Sequence, residues 1–262
     1  MKEKDKDISR RDWIKSSLVG GLFMGSYFLL NKDGHAAVDH TYSNDMTNVP
    51  TSFTGEIISP KVDKSAYIHP LASVIGAVEI GKRVMVSPAA SIRGDEGTPI
   101  VLDDEANVQD GVVLHALETQ EGGKAIEHNL VTIDGKKYAV FIGKRVSLAH
   151  QAQVHGPAAV GDDTFIGMQA LVFKAIVGKG CVVEPGAKVV GRAGMITIPD
   201  NRYVVVGQTV TTQEEADKLP KVDSSYALAA LNGGVVHVNT QLSDGYNHVR
   251  LGAPAPMAKP HH

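Results

Sequence analysis

His115, His150 and His155 are the residues of this chain best suited to chemistry. Three neutral imidazoles with a position left open are the donor set of a catalytic metal, where a structural site would be closed. Spacing alone is weak evidence for a metal. The other eight histidines have plainer readings: His35 lies in a leader, His261 and His262 at the extreme end, His40, His69, His128 and His248 in polar or turn-like surroundings, and His237 in an apolar run where it would simply pack. The single cysteine, Cys181, excludes an intramolecular disulfide framework and a cysteine-based zinc cluster.

What must position these residues is a six-residue period. Aliphatic residues fall six apart at Ile68, Val74, Ile80, Val86 and Ile92, resume at Val108 and Leu114, and return at Ile142, Leu148, Val154, Val160, Ile166 and Val172. After a slip of one they continue at Val177, Val183 and Val189, and a small or medium residue often follows four places on, as at Ala72, Ala90, Ala152, Thr164, Ala170 and Cys181. Neither the period of a helix nor that of a flat strand gives six. Hexapeptides build a coil of three short strands per turn, with the aliphatic residue and the small one pointing into a narrow prism. The fold class is therefore all-β, a left-handed parallel β-helix, with a C-terminal α-helix. The coil is expected over residues 65–190, interrupted by loops 93–107 and 115–138, with Cys181 buried and inert at an inward slot.

In this frame His115 directly follows Leu114 and His155 directly follows Val154, so stacked coils bring the two side by side. His150 lies across a corner. One chain would struggle to aim all three at one point, and a neighbouring chain packed on a flat face could supply the third.

The segments Asn107-Val108-Gln109-Asp110-Gly111-Val112-Val113-Leu114-His115 and Ser147-Leu148-Ala149-His150-Gln151-Ala152-Gln153-Val154-His155-Gly156-Pro157 closely resemble the gamma-class carbonic anhydrases, in particular their archaeal prototype, and Arg93-Gly94-Asp95-Glu96-Gly97 matches the acidic loop of that family. The likeness runs over roughly residues 55–250. It implies a homotrimer with one divalent metal at each subunit interface, Zn²⁺ or alternatively Fe²⁺ or Co²⁺, and reversible hydration of carbon dioxide to bicarbonate by a metal-bound hydroxide. By resemblance His115 and His155 bind from one subunit and His150 from its neighbour. Gln109 would orient the hydroxide, Asn239 would line the carbon dioxide pocket, and Arg93 and Asp95 would pair across subunits. Glu96 would pass protons inward and Glu118 would carry them to solvent from a mobile loop, with Asp110 a structural partner. A hexapeptide acyltransferase would need one catalytic histidine and a coenzyme groove. A non-enzymatic scaffold trimer would not need Arg93, Glu96, Gln109 and Glu118 together.

The remainder frames this core. Residues 1–37 read as a signal peptide: Ser9-Arg10-Arg11-Asp12-Trp13-Ile14-Lys15 resembles a twin-arginine motif, and the uncharged stretch after it is short for a membrane anchor. Export to the periplasm or exterior is expected. A net charge of −3 argues against a nucleic-acid partner. Residues 38–64 form an N-terminal extension. In residues 191–262, Thr212-Gln213-Glu214-Glu215 reads as a capping box, a second helix is expected from Ser224, and Val235–Val238 suits either strand or helix.

Overall fold

A computed structural model describes residues 44–250 and, separately, a short antiparallel pair, Leu29–Leu30 with Ala36–Ala37. That pair belongs to a first compact unit, Met1–Asp39, and all that follows concerns the second, His40–His262. The twin-arginine motif, His35, His40, His261 and His262 lie outside the described residues.

The second unit is a left-handed parallel β-helix of triangular section. Its first face stacks Lys61–Val62, Val78–Ile80, Ile100–Leu102 and Val140–Ile142, followed by the C-terminal part of Gln153–Val160, the same part of Leu171–Val177, and Ile196–Ile198. The second face stacks Tyr67–Ile68, Met85–Val86, Asn107–Val108, Ser147–Leu148, Phe165–Ile166, Val182–Val183 and Tyr203–Val204. The third face carries the chemistry. It stacks Asp45–Met46, Ser73–Gly76, Ser91–Gly94, Val113–His115, the start of Gln153–Val160, the start of Leu171–Val177, Lys188–Val190 and Thr209–Val210.

The inward slots are those of the six-residue period. Ile68, Val74, Ile92, Leu114, Leu148, Val154 and Ile166 are fully buried, and the small residues Ala152, Ala170 and Thr164 fill the corners between them. Removing apolar surface from water is the main drive for stacking such short strands, which have few backbone bonds each. Cys181 is buried, and that burial pushes its thiol up to about 11. The glycines after the aliphatic residue answer to the neighbouring coil: a Cβ at Gly143 would come within 2.5 Å of the Asp162 carboxylate, which accepts the Lys144 N–H.

The structure corrects several boundaries. The first loop is shorter than residues 93–107, because Ile100–Leu102 is already back in the coil. The coil continues beyond residue 190 through Ile198, Val204 and Val210, all fully buried. Residues 191–195 bulge between two strands that both pair with Leu171–Val177, and that insertion hides the resumed period.

Helix α1, Gln213–Asp217, begins at the expected capping box, with Thr212 and Glu215 bonding reciprocally. The second helix, α2, starts at Leu231 rather than Ser224 and runs to Arg250, so Val235–Val238 is helical. It lies along the second face. Asn232 Nδ2 donates to the Arg145 carbonyl, Asn247 Nδ2 to that of Ser65, Arg83 pairs with Asp244 at 2.9 Å, and Tyr246 stacks on Tyr67. His237 is exposed on this helix, beside Gln241, instead of packed. Among the described residues no helix is long and apolar enough to cross a membrane.

Candidate metal centre

The third face places two of the three histidines together. His115 pairs with His155 in register, and their rings meet edge to face with centroids 5.3 Å apart. One coil beyond, Phe173 continues the column and sets its ring against the other side of His155, again at 5.3 Å. On the opposite side Arg93 follows Ile92, whose strand partner is Leu114. The His115–His155 pair thus has an aromatic ring on one side and the strand that carries Arg93 on the other.

Both loops that leave the coil here do so at one corner, in successive turns. Glu96 and Glu118 sit at the same offset past the paired residues Ile92 and Leu114, so the two acids exit one above the other. Asp95 Oδ1 and Glu96 Oε1 each lie 3.2 Å from His115 Nε2, and Arg93 Nε donates to Asp95 Oδ2 at 3.1 Å. Within one chain Arg93 and Asp95 therefore pair with each other. The Glu96 carboxyl is raised, first by burial, then by Asp95 and Glu118, with Arg93 opposing. His115 is lowered by burial and then by Arg93, with Asp95 opposing, which favours the neutral imidazole a metal needs. Glu118 is exposed but its loop is tied down: Asn129 Nδ2 donates to the Glu118 carbonyl at 2.7 Å, and Thr119 is fully buried.

His150 stands elsewhere, at the corner between the second and third faces. It lines an open cavity of about 930 Å³ together with Gln109, Asp110, Asn239, Phe165 and Leu242. Gln109 is buried and donates its amide nitrogen to Asn107 Oδ1 at 3.0 Å, and Asn107 in turn donates to Ser147 Oγ. Asn239 turns its amide nitrogen to the Val235 carbonyl of its own helix. The rest of the cavity wall is mostly apolar, from Ala149, Met168, Leu228, Leu231, Val235 and Val238.

The donor atoms fit a divalent cation. His150 Nδ1 faces Asp110 Oδ2 at 3.1 Å, and His155 Nδ1 faces the Gly156 carbonyl at 3.0 Å. Each contact keeps the proton on Nδ1 and leaves Nε2 with its lone pair outward, the usual arrangement behind a metal-binding histidine. His115 also directs Nε2 into the site. Yet the only ligand atoms among the described residues that gather three at a time within 4.8 Å are those of Asp95, Glu96 and His115. The described residues form two separate clusters: His115 and His155 with the acids on the third face, and His150 with Gln109 and Asn239 across the corner. All of these positions are singled out by the sequence, which assigns no role to Phe173, Asn107, Thr119 or Asn129 beside them. Of those, Phe173 was findable, being one coil past His155 in the same slot.

Fold and site together define a hexapeptide-repeat β-helix protein with histidines and carboxylates gathered on one face and a further histidine at a corner. No protein-family model matches the chain. A carbonic anhydrase of Methanosarcina thermophila is 59% identical over 206 residues, 78% of this chain and 82% of that protein. Gamma carbonic anhydrase 2 of Arabidopsis thaliana mitochondria is 36% identical, over 68% of this chain and 56% of its own length. Among solved structures, a hexapeptide transferase family protein from Anaplasma phagocytophilum superposes with a TM-score of 0.52 at 22% identity, covering 72% of this chain and 93% of its own, which concerns the fold alone. The chain belongs to the gamma-class carbonic anhydrases, and it is an enzyme of that class.

Proposed function

We propose that the protein hydrates carbon dioxide reversibly to bicarbonate at a divalent metal held by His115 and His155 of one subunit and His150 of the next, in a homotrimer. The observation that carries this is the division of the histidines into two half-sites: His150 and His155 spend Nδ1 on Asp110 and Gly156 and keep Nε2 for a ligand, and His115 turns Nε2 to Asp95 and Glu96. A second copy brings the halves together, and the apolar cavity with exposed Val238 and Leu242 offers a face for it. Imidazole donors suit zinc, and equally ferrous iron or cobalt.

The bound cation supplies the Lewis acidity that lets water act as a hydroxide nucleophile near neutral pH. The chain's own residues do the rest. With its amide nitrogen held by Asn107, Gln109 keeps Oε1 to accept the O–H of the nucleophile and aim its lone pair. The apolar cavity wall beside Asn239 suits carbon dioxide, a molecule without charge. Glu96, raised toward neutrality and 3.2 Å from His115, takes the proton, and exposed Glu118 hands it to buffer. Arg93 holds Asp95 in place and, across the trimer, would meet the neighbouring subunit. The leader resembling a twin-arginine signal would deliver the enzyme to the periplasm or exterior. Anaerobic purification, metal quantification per chain and a hydration assay test the proposal. One metal per chain with activity that tracks metal content is expected, whereas activity independent of bound metal would refute it.

A further inference from the structure

We propose that Thr119 is a positioning residue for the proton relay, a buried hydroxyl that locks the turn carrying Glu96 to the strand end carrying Glu118. The inference rests on the relay described above and concerns what fixes its geometry.

Thr119 has no exposed surface. Its Oγ1 donates to the Glu96 carbonyl at 2.5 Å and accepts the Thr98 N–H at 2.7 Å, while its own N–H donates to the same Glu96 carbonyl at 3.0 Å. One residue thus holds both ends of the turn 96–98, and that residue is the immediate neighbour of Glu118. The turn is pressed against it: at Gly97, with φ +103°, a Cβ would lie 2.9 Å from Thr119 Oγ1 and 2.7 Å from the Phe53 carbonyl. From the other side buried Asn129 fastens the Glu118 carbonyl at 2.7 Å, and buried Thr54 fastens that of Asp95, also at 2.7 Å.

The two carboxylates therefore hang from backbone segments joined through one residue, by its hydroxyl and its N–H. Valine has the shape of threonine without the donor or the acceptor. In Thr119→Val the Thr98 N–H loses its acceptor and the Glu96 carbonyl keeps one bond of two, so the turn is free to drift. Transfer between held groups is sensitive to small displacements. A purely structural hydroxyl would act on every kinetic step alike; one that spaces the relay would act on proton release alone.

The experiment is stopped-flow hydration by the full, metal-loaded enzyme, in weak buffer and again with imidazole. It compares Thr119→Val, Thr119→Ser, Glu118→Ala and the double variant Thr119→Val/Glu118→Ala. Thr119→Val is expected to lose about three- to tenfold in kcat in weak buffer, the worth of one hydrogen bond. Its kcat/KM should stay within about twofold of the parent, and imidazole should restore kcat. Thr119→Ser should behave as the parent, and the double variant should be no slower than Glu118→Ala, since both changes strike one step. An equal fall in kcat and kcat/KM, no rescue by imidazole, or an added loss in the double variant overturns the inference. If Glu118→Ala itself ignores imidazole, it is the relay reading that fails. Should Thr119→Val not fold, Asn129→Ala frees the Glu118 side and is held to the same outcomes.

Discussion

Replacing Gln109 by alanine removes one hydrogen-bond acceptor from the site and little else. The side chain is 8% exposed, and its amide nitrogen is committed to Asn107 Oδ1 at 3.0 Å, so Oε1 is the atom that faces the reaction. Asn107 is itself fixed by its bond to Ser147 Oγ at 2.9 Å, and the Asp110–His150 contact on the same corner does not involve Gln109. Metal content should therefore be retained. A hydrogen bond to a charged or developing partner is worth about 1.5–3 kcal/mol, which corresponds to roughly ten- to 150-fold in rate. Because the orienting contact is made on the way to the transition state, the loss should appear in kcat/KM. Stopped-flow hydration at low carbon dioxide, with metal measured on the same sample, reads it. Asn107→Ala, which frees the amide but keeps it present, should lose less. A Gln109→Ala enzyme with full metal and kcat/KM within about twofold of the parent would refute the reasoning.

Glu118→Ala should lower kcat in weak buffer while kcat/KM is nearly kept, and imidazole should recover much of the loss by carrying the proton itself. An unchanged kcat in weak buffer would move the outer step to another group. Ala152→Leu forces a branched side chain into a fully buried corner slot and should destabilise by about 1–3 kcal/mol, read as a lowered urea midpoint at constant slope. An unchanged midpoint would contradict the close-packed prism. Arg10→Lys with Arg11→Lys should strand precursor in the cytoplasm of an exporting host, and unchanged export in a host with only the twin-arginine route blocked would exclude that route.

The coil was legible because every turn repeats one physical demand, an aliphatic and then a small residue facing a narrow core. The aliphatic positions from Ile68 to Val189 are all buried, and the small slot fails at Glu96 and Glu118, where the chain leaves the coil. Leu102, six before Val108, and Ile198, Val204 and Val210 satisfy the demand too, but they follow insertions that break the count, so the sequence reading lets the coil resume late after the first loop and stop early. Helix α2 was obscured for another reason: Gly233, Gly234 and the β-branched Val235, Val236 and Val238 carry little helical preference of their own. Docking on the second face through Asn232, Ser243 and Asn247 decides the matter, and those partners lie far away in sequence. The histidines could be placed from the frame alone, down to the corner that separates His150. Thr119 and Asn129 could not, because what marks them is a set of hydrogen bonds to backbone carbonyls of other loops.

The central claim is that one active site draws His115 and His155 from one subunit and His150 from another. Mixing His150→Ala chains with His155→Ala chains, each inactive alone, tests it most directly. In a mixture shown to exchange subunits, an interface that receives intact ligands from both parents regains its full donor set. With equal, random mixing in a cyclic trimer this applies to about a quarter of the interfaces. The account predicts recovery of metal and hydration activity to about that fraction. Exchanged trimers that recover neither would contradict shared coordination.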